Sequence, residues 1–258
     1  MESLRALAKD WALCLRFYTR LDWEGPQAVE MAGFAAALRA LPLAGASIGG
    51  IGALALAFPR ALGLSPLVAA TLGVAALIAI TGGLHEDGLA DVADGFGGGA
   101  TRARKLEIMR DSRLGSYGGL ALGLSLLLRV FALAALTERS TSLAAAAMIA
   151  TGALSRCAGL APLLALSPAR AEGAGAAMPR PSSGALAQAA ALAGLFSLAP
   201  ALYGAPLARI LVADLAACVA AILVARLAER QIGGYTGDVL GAAQQLAEIA
   251  ALLALSAA

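Results

Sequence analysis

Long apolar stretches separated by short polar segments make up most of the 258-residue chain. A helix needs roughly 20 apolar residues to cross a bilayer. Stretches of about that length lie at residues 38–59, 66–84, 117–137, 142–166, 184–204, 207–228 and 239–256. The pattern predicts an all-α, polytopic integral membrane bundle with about seven transmembrane helices. Pro42 and several glycines predict a kink or break in the first of them.

The N-terminal segment has a different pattern, in which apolar and basic residues share one helix. Its apolar positions fall on one broad face, at Leu4, Leu7, Trp11, Leu15 and Tyr18. Arginines and a lysine elsewhere on the helix could reach lipid headgroups, so residues 1–22 are predicted to form an amphipathic interfacial helix. A helix packed on the bundle explains the pattern equally well. Charged residues interrupt any apolar core here, which argues against a signal peptide.

The composition supports a membrane protein with a single domain, residues 1–258. Hydrophobic residues make up 60% of the chain and charged residues 14%, whereas a soluble domain carries about 25% charged residues. The net charge is only +2, which gives no indication of a nucleic-acid partner. The expected partners are the lipid bilayer and small-molecule substrates, and the sequence leaves the oligomeric state open.

The segment 82–119, called here the charged segment, is the polar exception. It contains the only histidine, His85, and a series of acids and bases. Asp87, Asp91 and Asp94 are spaced at i, i+4 and i+7, so they share one stripe of a helix. Three like charges repel unless a cation joins them, and Mg²⁺ is held by a few carboxylates together with substrate phosphates.

The second half of the charged segment adds the sequence Arg110-Asp111-Ser112-Arg113. A planar guanidinium can grip a phosphate through paired hydrogen bonds. Acids for a metal and arginines for phosphate together predict a Mg²⁺-dependent pyrophosphate site. The alternative is a solvated loop whose charges form salt bridges with one another.

The distribution of lysine and arginine predicts the orientation. Most of them fall on one side if the N-terminus, the charged segment and the loops at 167–183 and 229–238 lie together. The other side then holds Arg60, Arg139 and Arg209. Because cytoplasmic loops carry the excess of basic residues, residues 82–119 are predicted to form a cytoplasmic catalytic loop.

Further polar residues interrupt the apolar stretches. Arg129 and Arg156 lie within predicted spans, where a charge needs a polar interior or a partner. Arg156, next to Ser155, is the better site candidate, and Arg129 suits a structural partner. In the late turn 233–238, Thr236 and Asp238 could offer oxygens to a metal or substrate. That turn could instead only cap the last helix, with Asp238 as the N-cap.

Taken together, these blocks resemble the cobalamin-5′-phosphate synthase family, also called adenosylcobinamide-GDP ribazoletransferases. The resemblance lies in HEDGLADVADG (85–95), LEIMRDSRLG (106–115), the pairs 118–119 and 155–156, GGYTGD (233–238), FYTRL (17–21) and LPLAG (41–45). It covers nearly the whole chain in the family's order. Glu86 departs from the pattern, since the family often has an apolar residue there, and it leaves open whether another acid joins the site.

The resemblance implies a Mg²⁺-dependent transferase of cobalamin biosynthesis in the bacterial cytoplasmic (inner) membrane. Its reaction would transfer the adenosylcobinamide-phosphate group of adenosylcobinamide-GDP to α-ribazole or α-ribazole 5′-phosphate and release GMP. By resemblance, the metal ligands are Asp87, Asp91 and Asp94. The catalytic set adds His85, Arg110 and Asp111, and the substrate-binding set is Arg110, Arg113, Ser155, Arg156, Thr236 and Asp238. His85 could be the general base or could only orient a ligand.

Three other classes share part of these features. The spacing of Asp87 and Asp91 occurs in membrane prenyltransferases, but no second aspartate-rich motif is evident. Residues Asp87 to Ala90 approach the Asp-Gly-x-x-Ala opening of CDP-alcohol phosphotransferases, but with one residue fewer between glycine and alanine, and the next residue is Asp91 rather than arginine. A transporter could also hold a polar cluster inside its bundle, although most charges here lie in one predicted loop.

Overall fold

The computed structural model describes residues 2–21 and 33–257, and these ranges are helical nearly throughout. The α-helices are α1 (Glu2–Tyr18), α2 (Phe34–Ala37), α3 (Leu41–Ala61), α4 (Pro66–Thr81), α5 (Leu84–Gly98), α6 (Arg102–Ile108), α7 (Ser116–Arg139), α8 (Thr141–Ala158), α9 (Ala161–Ala165), α10 (Ala174–Ala177), α11 (Ser183–Ser197), α12 (Leu207–Ile232) and α13 (Gly237–Ser256). Short 3₁₀ turns at Leu38–Ala40 and Ala199–Tyr203 adjoin α3 and α11.

Six helical stretches are long and apolar enough to cross a membrane, and α4 with α5 could make a seventh. The six are Phe34–Ala61, Ser116–Arg139, Thr141–Ala165, Ser183–Tyr203, Leu207–Ile232 and Gly237–Ser256. The predicted all-α membrane bundle of about seven spans with an N-terminal helix is thereby confirmed. The predicted span 66–84 is the weakest, because the 16 residues of α4 reach only about 24 Å.

A bend of 89° separates α4 from α5. Gly82 and Gly83 have φ of +66° and +71°, a left-handed conformation that glycine adopts at little cost. After the bend, α5 packs against α7 and α13 and buries Leu89 and Val92. The expectation of a helical stripe is therefore confirmed. The description of residues 82–119 as a loop needs correction, since apolar side chains bring the helix α5 into the bundle.

The first span, Phe34–Ala61, stays one helical stretch but contains a 3₁₀ turn just before Pro42, close to the kink or break that the sequence predicts. The short helix α2 and the 3₁₀ turn Leu38–Ala40 precede α3, and Pro42 lies in the first turn of α3. Proline is tolerated at this position because its missing N–H would have no partner within the helix. Helix α3 then packs closely on α8, where a Cβ on Gly45 would come within 2.2 Å of the Gly152 carbonyl oxygen.

Helix α1 combines the two arrangements considered for it. Its second half packs on the bundle, with Trp11 Nε1 donating to Ser47 Oγ at 3.1 Å and Arg39 pairing with Asp10 at 2.6 Å. Its first half is open, and Leu4 is 70% exposed. An interfacial position for that half stays a prediction. Met1 and residue 22 of the predicted helix 1–22 lie outside the described residues.

The charged segment and the two loops assigned to the same side do meet at one end of the bundle. Ala169 N donates to Tyr235 O at 2.8 Å and Tyr235 N donates to Ser167 O at 3.0 Å, which joins the loop after α9 to the turn before α13. Arg102 Nη2 from α6 donates to Ala169 O at 3.0 Å. The predicted grouping of these segments is therefore confirmed, whereas the side of the membrane on which they lie stays a prediction.

Candidate active site

A cavity of about 150 Å³, called here the larger cavity, lies between α1, α5, α8 and α13. Its polar wall consists of His85, Asp87, Arg156, Asp238 and Gln244. Apolar side chains complete it, among them those of Phe17, Leu41, Leu160, Met178 and Leu240. Four candidate residues from three separate parts of the sequence thus share one cavity, namely His85, Asp87, Arg156 and Asp238.

The contact between α5 and α13 depends on Gly88. A Cβ at this position would lie 2.8 Å from the Asp238 carbonyl oxygen, so only glycine allows the two backbones to approach this closely. The approach brings Asp238 near the carboxylates of α5. The half-buried Asp91 lies close enough to Asp87, Asp238 and Asp94 for their charges to repel its own, and Arg170 offsets part of this repulsion. Acids from α5 and α13 therefore form one negative region beside the cavity.

Asp94 has a different environment from the other acids of its stripe. Its Oδ2 accepts a hydrogen bond from Gly115 N at 2.7 Å, and its Oδ1 accepts one from Gly118 N at 2.8 Å. The carboxylate thus satisfies backbone N–H groups at the start of α7, where a negative charge is also favoured by the helix dipole. Its role as a metal ligand stays a prediction.

A closed metal site is not formed by the side chains. Within residues 2–21 and 33–257, no group of three or more His, Cys, Asp or Glu side chains is arranged to hold a metal ion. Asp87 is exposed and lines the cavity, and Asp91, one helical turn further along α5, is half-buried. These two acids fit the usual mode of Mg²⁺ binding, in which one or two carboxylates act together with substrate phosphates.

His85 is buried in the cavity wall and stacks on Tyr18 of α1. Their ring centroids are 5.7 Å apart and the ring planes differ by 6°. Tyr18 also packs edge-on against Phe17 at 4.8 Å. This stacking fixes the plane of the imidazole, so the block FYTRL contributes to the site through packing, which the sequence alone does not reveal.

Ser155 and Arg156 lie at the end of α8, and only the arginine reaches the cavity. Arg156 is buried, and its Nη1 donates to Gly152 O at 3.0 Å. Ser155 is fully buried and accepts a hydrogen bond from Gln244 Nε2 at 2.9 Å. The structure therefore places Arg156 where it can meet a ligand and Ser155 behind it.

In the late turn, Thr236 rather than Asp238 is the N-cap of α13. Its Oγ1 accepts from Val239 N at 3.3 Å and donates to Asp238 Oδ2 at 3.1 Å. The predicted alternative, with Asp238 as the cap, is wrong, because the hydroxyl two residues earlier already occupies that position. Asp238 instead faces the cavity and pairs with Arg170 at 3.3 Å. The sequence did not single out Arg170, although the loop 167–183 that contains it was predicted to lie on the same side as the charged segment.

Arg110, Asp111 and Arg113 lie in the linker between α6 and α7, outside the wall of the larger cavity. Arg113 Nε donates to both carboxylate oxygens of Asp111, at 2.9 and 3.1 Å. These hydrogen bonds lower the pKa of the Asp111 carboxyl from 3.8 to about 2. The arrangement resembles the salt-bridged linker considered as the alternative, and substrate binding by these residues stays a prediction.

Arg129 is a buried structural partner, as its position within a span suggested. It is 1% exposed, and its guanidinium pairs with Glu86 at 2.7 Å and with Glu248 at 3.0 Å. We call these three residues the ion cluster. The additional acid Glu86 thus faces the bundle interior rather than the larger cavity.

The family whose description is cobalamin-5-phosphate synthase matches residues 10–256. The chain belongs to the cobalamin-5-phosphate synthase family. Every candidate residue lies within the matched range, and the chain is a multi-pass membrane transferase of cobalamin biosynthesis, as the resemblance implied. The prenyltransferase, CDP-alcohol phosphotransferase and transporter alternatives are thereby set aside.

Relatives of similar length carry one name, adenosylcobinamide-GDP ribazoletransferase. The protein of Azorhizobium caulinodans is 47% identical over 98% of this chain and 97% of its own length. That of Mesorhizobium japonicum is 44% identical over 99% and 96%, and that of Xanthobacter autotrophicus is 46% identical over 97% of both chains. No solved structure matches the chain.

Proposed function

We propose that this chain transfers the adenosylcobinamide-phosphate group of adenosylcobinamide-GDP to α-ribazole or α-ribazole 5′-phosphate, and that the transfer occurs in the larger cavity. The observation that supports this most is the convergence of Asp87, Arg156 and Asp238 on one cavity from α5, α8 and α13. A buried cation beside a group of carboxylates suits a substrate that combines a diphosphate with a divalent cation.

Arg156 is the group that binds the diphosphate. Its guanidinium is buried and forms no ion pair with any carboxylate of the described residues. A buried guanidinium without a contacting carboxylate favours an anion, and its planar donors match the oxygens of a phosphate. We assign Arg110 and Arg113 of the exposed linker to a secondary role at the same substrate.

Asp87 and Asp91 would hold Mg²⁺. The mutual repulsion of the acids around Asp91 would be relieved by a divalent cation, and carboxylate oxygens are the ligands it prefers. Asp94 could join them only through the lone pairs that its two backbone hydrogen bonds leave free. When bound, Mg²⁺ neutralises charge on the diphosphate and on the leaving GMP.

The bond changes follow from the two substrates. The ribose hydroxyl of α-ribazole attacks the phosphorus nearer the cobinamide, a new O–P bond forms, and the bond from that phosphorus to the bridging oxygen breaks as GMP leaves. His85 accepts the proton of the attacking hydroxyl, because it lies in the cavity wall with its ring plane held by Tyr18. Arg156 stabilises the charge that builds up on the phosphoryl oxygens.

The charge distribution supports a bacterial cytoplasmic membrane with the site on the cytoplasmic side. The charged segment and the basic loops lie together at one end of the bundle, and cytoplasmic ends carry the excess of lysine and arginine. Both substrates would then reach the larger cavity from the cytoplasm.

The test is GMP release by the purified protein with adenosylcobinamide-GDP, α-ribazole and Mg²⁺. We expect Arg156→Lys to lower kcat/KM by about 10²-fold, because an ammonium does not reproduce a planar pair of hydrogen bonds. Glu107→Gln is the control, since Glu107 is 69% exposed and its ion pair with Arg104 lies within its own helix. Wild-type kinetics for Arg156→Lys would contradict the assignment of the cavity as the active site.

A further inference from the structure

A second, much smaller polar cavity of about 10 Å³ adjoins the larger one. His85, Arg156 and Gln244 belong to the walls of both. On its other side, the small polar cavity is lined by the ion cluster Glu86, Arg129 and Glu248. The residue proposed to bind the diphosphate therefore has its inner face on a second buried polar space.

A continuous chain of hydrogen bonds runs along this space across four helices. It begins at Glu86 of α5, passes through Arg129 of α7 and reaches Glu248 of α13. Gln244 Nε2 then donates to Glu248 Oε2 at 2.8 Å and to Ser155 Oγ of α8 at 2.9 Å. The chain thus ends on the residue that precedes Arg156.

Four buried atoms in this wall have no hydrogen-bond partner among the described residues. Two are acceptors, Glu86 Oε2 and Gln244 Oε1, and two are donors, Arg129 Nε and Arg156 Nε. A buried polar atom without a partner costs about 1–3 kcal/mol. One water molecule donates two hydrogen bonds and accepts two, and a space of about this size holds one water.

The charges around the small polar cavity also balance only when Arg156 is counted. Glu86 and Glu248 carry two negative charges, and Arg129 offsets one of them. Arg156 lines the same cavity as Glu86 and Glu248, although it forms no direct ion pair with either in the described part of the chain. The ion cluster therefore supplies a counter-charge for Arg156 from behind.

We propose that the small polar cavity binds one water molecule that links Arg156 to Glu86 and Gln244, and that Glu248 and Gln244 are positioning residues for Arg156. The inference rests on the proposed function, in which Arg156 binds the diphosphate. With Nε held by the water and Nη1 donating to Gly152 O, the remaining donors of the guanidinium are left for a ligand in the larger cavity. Because Arg156 is already oriented before the substrate binds, its ordering does not reduce the affinity for the substrate.

Neighbouring glutamines on α13 provide a matched test. Gln244 and Gln245 are both buried and both line the small polar cavity, but only Gln244 joins the chain that reaches Ser155. Gln245 Oε1 instead accepts a hydrogen bond from Ser125 Oγ of α7. We expect Gln244→Met to raise the KM for adenosylcobinamide-GDP about tenfold, which corresponds to about 1.4 kcal/mol, with a smaller change in kcat. Gln245→Met should keep a KM close to that of the wild type.

Glu248→Gln should raise the KM in the same way, and it should fold, because Glu86 still pairs with Arg129. Equal KM values for Gln244→Met and Gln245→Met, or a wild-type KM for Glu248→Gln, would overturn the positioning role. If Gln244→Met does not fold, Glu248→Gln decides. Wild-type kinetics of the Arg156→Lys variant would instead contradict the proposed function. The failure of the positioning role and the failure of the proposed function can therefore be told apart.

The water itself is tested on the wild-type protein. An experimental structure at a resolution that shows other buried waters should contain one density peak in the small polar cavity, within hydrogen-bond distance of Arg156 Nε and Gln244 Oε1. An empty cavity at that resolution would overturn the water-mediated link.

Discussion

Asp87, Asp91 and Asp94 show how residues with one spacing acquire different environments. All three lie on the same stripe of α5, as the i, i+4, i+7 pattern predicted. Asp87 faces the larger cavity, Asp91 lies among other acids, and Asp94 binds the start of α7. The pattern could predict the shared face because that depends only on helix geometry. It could not predict the partner of Asp94, which comes from another helix.

These environments lead to different expectations for Asp→Asn. At Asp87 and Asp91, the change removes a negative charge that a cation would need, so Mg²⁺-dependent GMP release should fall by about 10²-fold or more. At Asp94, one of the two acceptor oxygens that cap α7 becomes an amide, which should also lower stability by about 1 kcal/mol. GMP release at several Mg²⁺ concentrations and thermal unfolding in detergent would separate the two effects.

The comparison contains its own control, since each substitution is isosteric and lies on the same helix. Full activity and unchanged Mg²⁺ dependence in both Asp87→Asn and Asp91→Asn would refute the metal assignment. An Asp94→Asn protein with normal thermal stability would show that the two backbone hydrogen bonds contribute little.

At the scale of elements, the spans are predictable and the entry of α5 into the bundle is not. Apolar length alone located the six long spans to within a few residues, and Pro42 marked the 3₁₀ turn that precedes α3. The charged residues of α5 made it look like a loop, because its apolar side chains are few. Its position depends on the bend at Gly82 and Gly83 and on packing against α7 and α13, which are contacts distant in sequence.

The contact at Gly88 can be tested by comparison with another helical glycine, Gly119 of α7, which makes no such contact. Gly88→Ala places a Cβ 2.8 Å from the Asp238 carbonyl oxygen, so α5 and α13 must separate, at a cost of about 1–3 kcal/mol. We expect a lower thermal midpoint and a loss of GMP release. Gly119→Ala is the control, because a Cβ there meets nothing within 4 Å and alanine favours a helix over glycine by about 1 kcal/mol.

Unfolding curves and activity of the two variants would decide this point. Gly119→Ala should be as stable as the wild type or more so, with normal turnover. Equal behaviour of both variants would mean that the close approach at Gly88 does not hold the acids of α5 and α13 together.

At the scale of the whole molecule, the sequence predicted which segments meet but not which residues share a cavity. The asymmetry of lysine and arginine grouped the charged segment with the loops at 167–183 and 229–238, and hydrogen bonds confirm that grouping. The buried charges Arg129 and Arg156 stood out in apolar stretches. Their different roles follow from the three-dimensional order of α5, α7, α8 and α13, which no local pattern contains.

The remaining whole-molecule prediction concerns orientation in the membrane. It can be tested with single cysteines near the two ends of helix α7. Its 24 residues run about 36 Å from the charged segment toward Arg139. A variant whose three cysteines, Cys14, Cys157 and Cys218, are replaced by serine would carry a single new cysteine in each experiment. Glu107→Cys reports on the charged segment and Glu138→Cys on the opposite end of α7, and both positions are exposed.

We expect an impermeant maleimide to label Glu138→Cys in intact bacterial spheroplasts and Glu107→Cys only after the membrane is opened. The physical reason is the excess of basic residues at the end that holds the charged segment, which favours the cytoplasmic side. Retained GMP release would show that each variant is folded. The reverse labelling pattern would place the larger cavity on the outer face, away from cytoplasmic substrates, and would rule out the proposed topology while leaving the family assignment intact.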